Sequence, residues 1–219
     1  DDMSLADFKK LYKGKVECAK NAKELKQLLA KQEDWIVKGY GLLEVYTGTG
    51  KGKTTAALGV VLRASGYGAK TLMIQFMKDD KGYGEYSAAK FIPGFELKQV
   101  WRECFVDFAN PDAIYVKMIY EGWTLAKEAI LSQKYDIVIL DELNVGLFYK
   151  MLPLDEVVTF LKNERGKTEV ITTGRYAPEQ LIEIADLVTD MQSVKHYFFA
   201  GVQSRDGIDH WEWGKQKNE

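Results

Sequence analysis

The spacing of apolar and polar positions changes several times along the 219-residue chain. Residues 4–34, rich in Lys, Ala, Leu and Glu, predict one or two helices broken near Gly14, and residues 35–41 read as a linker. Beyond it, short apolar runs alternate with stretches of helical spacing. Residues 42–46 predict a strand that runs straight into a glycine-rich loop, and residues 54–64 predict a helix ended by Ser65-Gly66. A second strand is predicted at 71–76, then a polar stretch, a short helix near 86–90 and a strand at 96–101. Asn110-Pro111-Asp112 offers a capping side chain, a first-turn proline and an acid for a helix reaching about residue 133. Residues 136–140 form a β-branched apolar strand that ends in Asp141-Glu142. Pro153 opens another helix, and residues 169–172 predict a strand ending in Thr173-Gly174-Arg175. A further helix is predicted over 178–191 and a last strand over 197–202.

Strands separated by helices imply an α/β fold of three layers: a mainly parallel sheet with helices on both faces. In such a sheet, ligands bind beyond the carboxyl ends of the strands. The conspicuous polar groups fall at those ends, at 47–55, 141–142 and 173–175. The length suits one domain with an extension. The pattern divides the chain into a helical extension, 1–38, and an α/β domain, 39–219.

Composition narrows the function classes. Apolar residues at 46% and charged residues at 28% describe an ordinary globular protein. A net charge of -2 lacks the basic excess expected of a nucleic-acid binder. No apolar run approaches the ~20 residues of a membrane span. Cys18 and Cys104 are far apart and form no metal-ligand pattern, which fits a reducing, cytoplasmic compartment.

The loop after the first strand reads Thr47-Gly48-Thr49-Gly50-Lys51-Gly52-Lys53-Thr54-Thr55. A strand, a glycine-rich turn and a helix together make an anion site, because backbone N–H groups point inward and the helix N-terminus adds partial positive charge. Lys53 supplies a point charge for phosphate oxygens, Lys51 a second one, and Thr54 a hydroxyl for magnesium. The usual phosphate loop begins with glycine, whereas this one begins with Thr47. Asp141 or Glu142, after an apolar strand, can hold the same ion; one of the pair also reads as a helix cap or a solvated charge. Arg175 reads either as a phosphate contact through its planar fork or as a surface arginine.

Taken in order, these pieces resemble the P-loop corrinoid adenosyltransferases, which act on cob(I)alamin or cob(I)yrinic acid a,c-diamide with ATP. The similar region spans about residues 39–209 and includes VYTGTGKGKTTAA at 45–57, Gln75-Phe76, VILDEL at 138–143, TTGR at 172–175, ADLVT at 185–189 and VKH at 194–196. That family also begins its loop with threonine. The resemblance implies a P-loop NTPase-like, RecA-like fold. It implies that the cobalt of a reduced corrinoid attacks the 5′ carbon of ATP and that intact triphosphate leaves. It further implies a triphosphate lying in the reversed sense, which would account for Thr47.

On this resemblance no protein nucleophile is needed, and the protein positions the reacting carbon and stabilises the leaving triphosphate. Thr54 and Glu142 are the implied magnesium ligands, with Asp141 second. Lys53, Thr54 and Glu142 carry the catalysis, Arg175 contacts phosphate, and Arg63 stands near the nucleotide. Relatives displace the lower cobalt ligand with aromatic residues; Phe105 matches in part, but the tryptophan two positions on is replaced by Asp107. Phe105 reads equally as core packing. His196 and His210 read as structural. Residues 1–38 are expected to cover the corrinoid site, and a homodimer and an electron-donating flavoprotein reductase are the implied partners. Two rival readings use the same residues: a P-loop ATPase or small-molecule kinase, which yields ADP, and a nucleotide-dependent regulator or corrinoid carrier without turnover.

Overall fold

The computed structural model describes residues 40–78, 83–101 and 111–209. The expected extension over 1–38, together with Phe105 and His210, lies outside the described residues. The described strands are β1 (Leu43–Thr47), β2 (Thr71–Gln75), β3 (Phe95–Gln99), β4 (Ile137–Asp141), β5 (Glu169–Thr173) and β6 (Leu187–Asp190). The helices are α1 (Lys53–Ser65), α2 (Gly84–Ala88), α3 (Ala113–Leu131), α4 (Leu143–Phe148), α5 (Leu154–Asn163) and α6 (Glu179–Glu183).

All strand pairs are parallel, in the order β3-β2-β4-β5-β1-β6. β2 and β4 are buried along their whole length, as a parallel sheet covered on both faces requires. Alternate residues divide between two cores. Leu43, Val45, Leu72, Ile74, Val138, Leu140 and Val170 face a layer built from α3, α4, α5 and α6. Tyr46, Met73, Ile137, Ile139 and Ile171 face α1, through Ala57 and Val61. The strand ends are therefore held in register from both sides, and β5 lies between the loop-bearing β1 and the acid-bearing β4.

Three expectations are corrected. The helix expected over 178–191 is only α6, and residues 187–190 form edge strand β6. Asp186 stops the helix: its carboxylate accepts the Leu43 N–H at 2.7 Å, and its own N–H donates to the Leu43 carbonyl at 2.8 Å. Val188 and Thr189, β-branched, then pair with Val45 and Tyr46. The strand expected over 197–202 is a short 3-10 turn, Tyr197–Ala200, closed by Gly201 in the left-handed region. Helix α3 begins two residues later than its signals suggest, since Asp112 rather than Asn110 is the cap residue, and it makes no side-chain capping bond. The apolar pattern predicts no helix over 143–148, yet α4 begins directly after Glu142, which is its cap residue.

Trp123 anchors the α3 layer. It is 1% exposed, meets the Phe160 ring edge-on at 5.3 Å, and donates its indole N–H to Glu156 at 3.1 Å. Trp123→Ala is expected to lower unfolding stability by about 3–5 kcal/mol through the cavity left in that core, as read from urea denaturation.

Candidate functional site

β1 delivers Thr47 to the top of the sheet, and the chain turns through Gly48 to Gly52 into α1. The glycines are needed because another segment crosses the loop closely. A Cβ on Gly48 would stand 2.5 Å from the Met191 carbonyl oxygen, and one on Gly50 would stand 2.6 Å from it. Gly48 also has a φ of 101°, a region that glycine tolerates best. Thr47, in place of the usual glycine, is buried, and its hydroxyl accepts the Ala177 N–H at 3.2 Å. The threonine thus ties the start of the loop to the segment after β5.

Lys53 is curled into the loop, donating to the Gly48 and Gly50 carbonyls at 2.8 and 2.7 Å. Burial holds its pKa below the usual lysine value, opposed by the negative charge of Glu142. Thr54 points the other way, and its hydroxyl donates to Asp141 Oδ1 at 2.9 Å.

Asp141 is fully buried at the end of β4. Besides Thr54 it accepts Thr173 Oγ1 at 2.6 Å, Gln75 Nε2 at 3.1 Å and Lys78 Nζ at 2.8 Å. Burial alone would raise its pKa, but the Lys78 charge and the hydrogen bonds of Lys78, Thr173 and Thr54 outweigh it and hold the carboxyl below the ordinary value. Lys78 is shifted in the matching sense: burial opposes its charge, and Asp141 and Glu142 prevail, leaving its pKa raised.

Glu142 has a left-handed backbone, with φ 65°, and its N–H donates to Thr173 Oγ1 at 3.0 Å. This turn separates the two acids in direction. Burial, followed by the neighbouring Asp141 charge, raises the Glu142 pKa, while Lys78, Lys53 and Arg175 pull it down. Arg175 is exposed and acts on Glu142 and Lys53 through space. The donor set of Thr54 hydroxyl and two carboxylates is made of hard oxygens, which suits a small divalent cation that shares phosphate oxygens. Among the described residues no group of three or more His, Cys, Asp and Glu is placed to hold a metal alone.

The structure brings Thr47, Gly48, Gly50, Gly52, Lys53, Thr54, Asp141 and Glu142 together, with Arg175 at the rim. Thr49, Lys51 and Thr55 are exposed around the loop, and Lys51 Nζ stands 3.6 Å from Asp209 Oδ1. Arg63 is not among them: it is exposed in the last turn of α1, ~15 Å along the helix from Lys53. His196 accepts the Phe198 N–H at 3.1 Å and so caps the 3-10 turn.

Sequence reasoning assigned no role to four residues that the structure places in the site: it flagged 173–175 and Gln75-Phe76 without one, and passed over Asn144 and Lys78. Thr173 bonds to both Asp141 and the Glu142 backbone. Asn144, fully buried, donates to the Tyr46 and Gly174 carbonyls at 3.3 and 3.2 Å and braces two strand ends. Gln75 and Lys78 reach Asp141 from the end of β2. A signal existed for Gln75, a polar residue closing an apolar strand. None existed for Lys78, whose role depends on β2 and β4 being neighbours.

The sequence model of the family described as ATP:corrinoid adenosyltransferase BtuR/CobO/CobP matches residues 39–210. A corrinoid adenosyltransferase of Sinorhizobium sp is similar at 38% identity, over 77% of this chain and 80% of its own. That of Escherichia coli K12 is also 38% identical, over 78% of this chain and 86% of its own. Among solved structures, the flagellar accessory protein FlaH from Methanocaldococcus jannaschii is similar with a TM-score of 0.48 and 13% identity, covering 72% of this chain and 75% of that one.

The Glu142 shift has a sign that can be tested. Its pKa is raised in the folded protein, so its ionised form opposes folding above that pKa, and the penalty vanishes below the ordinary value of 4.5. Glu142→Gln is therefore expected to raise the melting temperature of the ligand-free protein at pH 7. The gain should disappear when the melts are repeated below pH 4.5.

Proposed function

The chain belongs to the ATP:corrinoid adenosyltransferase family, and from that premise we infer that it transfers the 5′-deoxyadenosyl group of ATP to the cobalt of a reduced corrinoid. The cobalt electron pair forms a bond to the 5′ carbon as the carbon–oxygen bond breaks, and its electrons leave on triphosphate. The observation that carries this reading is the family match over residues 39–210, which contains the whole strand-end site.

The chemistry asks little covalent work of the protein and much positioning and charge stabilisation. Lys53 now bonds to loop carbonyls only 2.8 and 2.7 Å away, bonds that phosphate oxygens can replace in kind. Its task is to draw charge from the leaving triphosphate, assisted by loop N–H groups and the α1 N-terminus. Lys51 and Arg175 add positive charge at the rim. Thr54, Glu142 and Asp141 would hold magnesium, which when bound neutralises phosphate charge. The Thr54–Asp141 bond of 2.9 Å supports that set, since it keeps hydroxyl and carboxylate within one ion's reach.

We assign residues 1–38 as a cover over the corrinoid and Phe105 as a contact to it. A flavoprotein reductase is the electron donor in this reading, a homodimer the assembled form and the cytoplasm its compartment. No helix among the described residues is long and apolar enough to cross a membrane.

The deciding experiment is an anaerobic assay with ATP, magnesium and chemically reduced cobalamin. A light-sensitive carbon–cobalt product with intact triphosphate is expected. ADP and phosphate with an unchanged corrinoid spectrum would return the protein to the ATPase or kinase reading. In the same assay Lys53→Ala should lower turnover by about 100-fold or more, the scale for losing one charge-stabilising donor.

A further inference from the structure

Lys78 lies beyond the end of β2, yet its side chain turns back into the site. Its Nζ donates to Asp141 Oδ2 at 2.8 Å and to Thr54 Oγ1 at 3.1 Å. Both groups belong to the oxygen set that suits a divalent cation. The Lys78 side chain is only 12% exposed and that of Asp141 is not exposed at all. A carboxylate so buried requires a positive partner at all times, because an uncompensated charge there is strongly unfavourable. Among the described residues, Lys78 is the cation in contact with it.

An ammonium and a divalent ion cannot share those oxygens, since like charges a few ångströms apart repel strongly in a buried setting. A second carboxylate stands ready for the displaced ammonium. Glu85 Oε1 is 3.8 Å from Lys78 Nζ. Gln75 Nε2 bonds to both acids, to Asp141 at 3.1 Å and to Glu85 at 3.2 Å, and so holds them side by side. Gln99 in turn donates to Gln75 Oε1 at 3.0 Å, which fixes the orientation of that amide. The swing from Asp141 to Glu85 is a short one.

We propose that Lys78 is the resident counter-ion of the cation site: it neutralises Asp141 in the ligand-free protein and moves toward Glu85 when a divalent ion enters with triphosphate. This inference rests on the assignment of Thr54 and Asp141 to the divalent-ion site. Lys78 is thus a positioning residue that makes the metal and the nucleotide arrive together. A metal ion alone must evict an ammonium already bonded to its own ligands. Triphosphate supplies further oxygens for the ion and negative charge nearby for the displaced lysine.

The test uses Mn2+ as probe, with no corrinoid, so its result is independent of adenosyl transfer. Free Mn2+ is followed by electron paramagnetic resonance as it is titrated into nucleotide-free protein. Wild type is expected to bind weakly, and Lys78→Met at least about tenfold more tightly, because the competing charge is gone. Lys78→Arg, which keeps the charge, should stay weak. Unchanged or weaker binding by a folded Lys78→Met protein overturns the proposal. Equal tightening in Lys78→Arg also overturns it, by tracing the effect to packing. A second measurement needs no variant: lysine acylation of wild type, read at Lys78 by mass spectrometry. Labelling of Lys78 should rise when Mn2+ and inorganic triphosphate are added together. Unaltered labelling at saturating Mn2+ and triphosphate means that the lysine stays on Asp141, and the idea fails.

Discussion

One buried carboxylate organises this molecule's working end. Asp141 draws hydrogen bonds from Thr54 at the start of α1, Thr173 at the end of β5, Gln75 at the end of β2, and Lys78 beyond it. The donors come from three separate segments, the start of α1, the end of β5 and the end of β2 with the residues after it, so the bond set is also a geometric clamp. The carboxylate stays ionised despite burial because these partners outweigh the cost of removing it from water. Loosening one partner disturbs the others, since they converge on two oxygens in a low-dielectric setting.

The two acids at this strand end divide their labour through backbone conformation. Asp141 keeps strand geometry and points into the clamp. Glu142 takes a left-handed φ of 65°, and its carboxylate is left facing Lys78, Lys53 and Arg175 without the same hydrogen bonds. Left-handed backbone in a residue other than glycine or asparagine is strained and collects at functional sites. The α4 helix follows at once and buries Leu143, Asn144 and Leu147. That packing holds the strained residue in place.

Much of the fold was legible because both faces of the central strands are covered, which turns each strand into a short apolar run bounded by polar residues. A helix is expected over 178–191 because Leu181, Ile184, Ala185 and Val188 recur at helical spacing. What decided it was remote: Asp186 bonding to Leu43, a contact no local pattern can carry. The same distinction separates the site residues. The loop, Asp141 and Glu142 announce themselves by strand-end motifs. Thr173 also stands at a strand end, but its partners, like those of Asn144 and Lys78, depend on sheet order, which places β5 between β1 and β4 and β2 beside β4. Arg63 came from resemblance alone, and the structure sets it at the far end of α1.

The close crossing of residues 190–192 over the glycine loop has a consequence for how such a chain can vary. The atoms that a Cβ on Gly48 or Gly50 would strike include backbone atoms of Met191 and Gln192, and the Gly50 N–H donates to the Met191 carbonyl. Side-chain identity at those two positions is therefore only loosely constrained by this contact, whereas chain length is tightly constrained. An inserted or deleted residue after β6 would shift the crossing backbone by a full step and unseat the loop. In a lineage descended from this sequence, the crossing should drift by replacement at Met191 and Gln192 and resist insertion, with Gly50 following the fate of the backbone and Gly48 that of the backbone and the Asp190 side chain together.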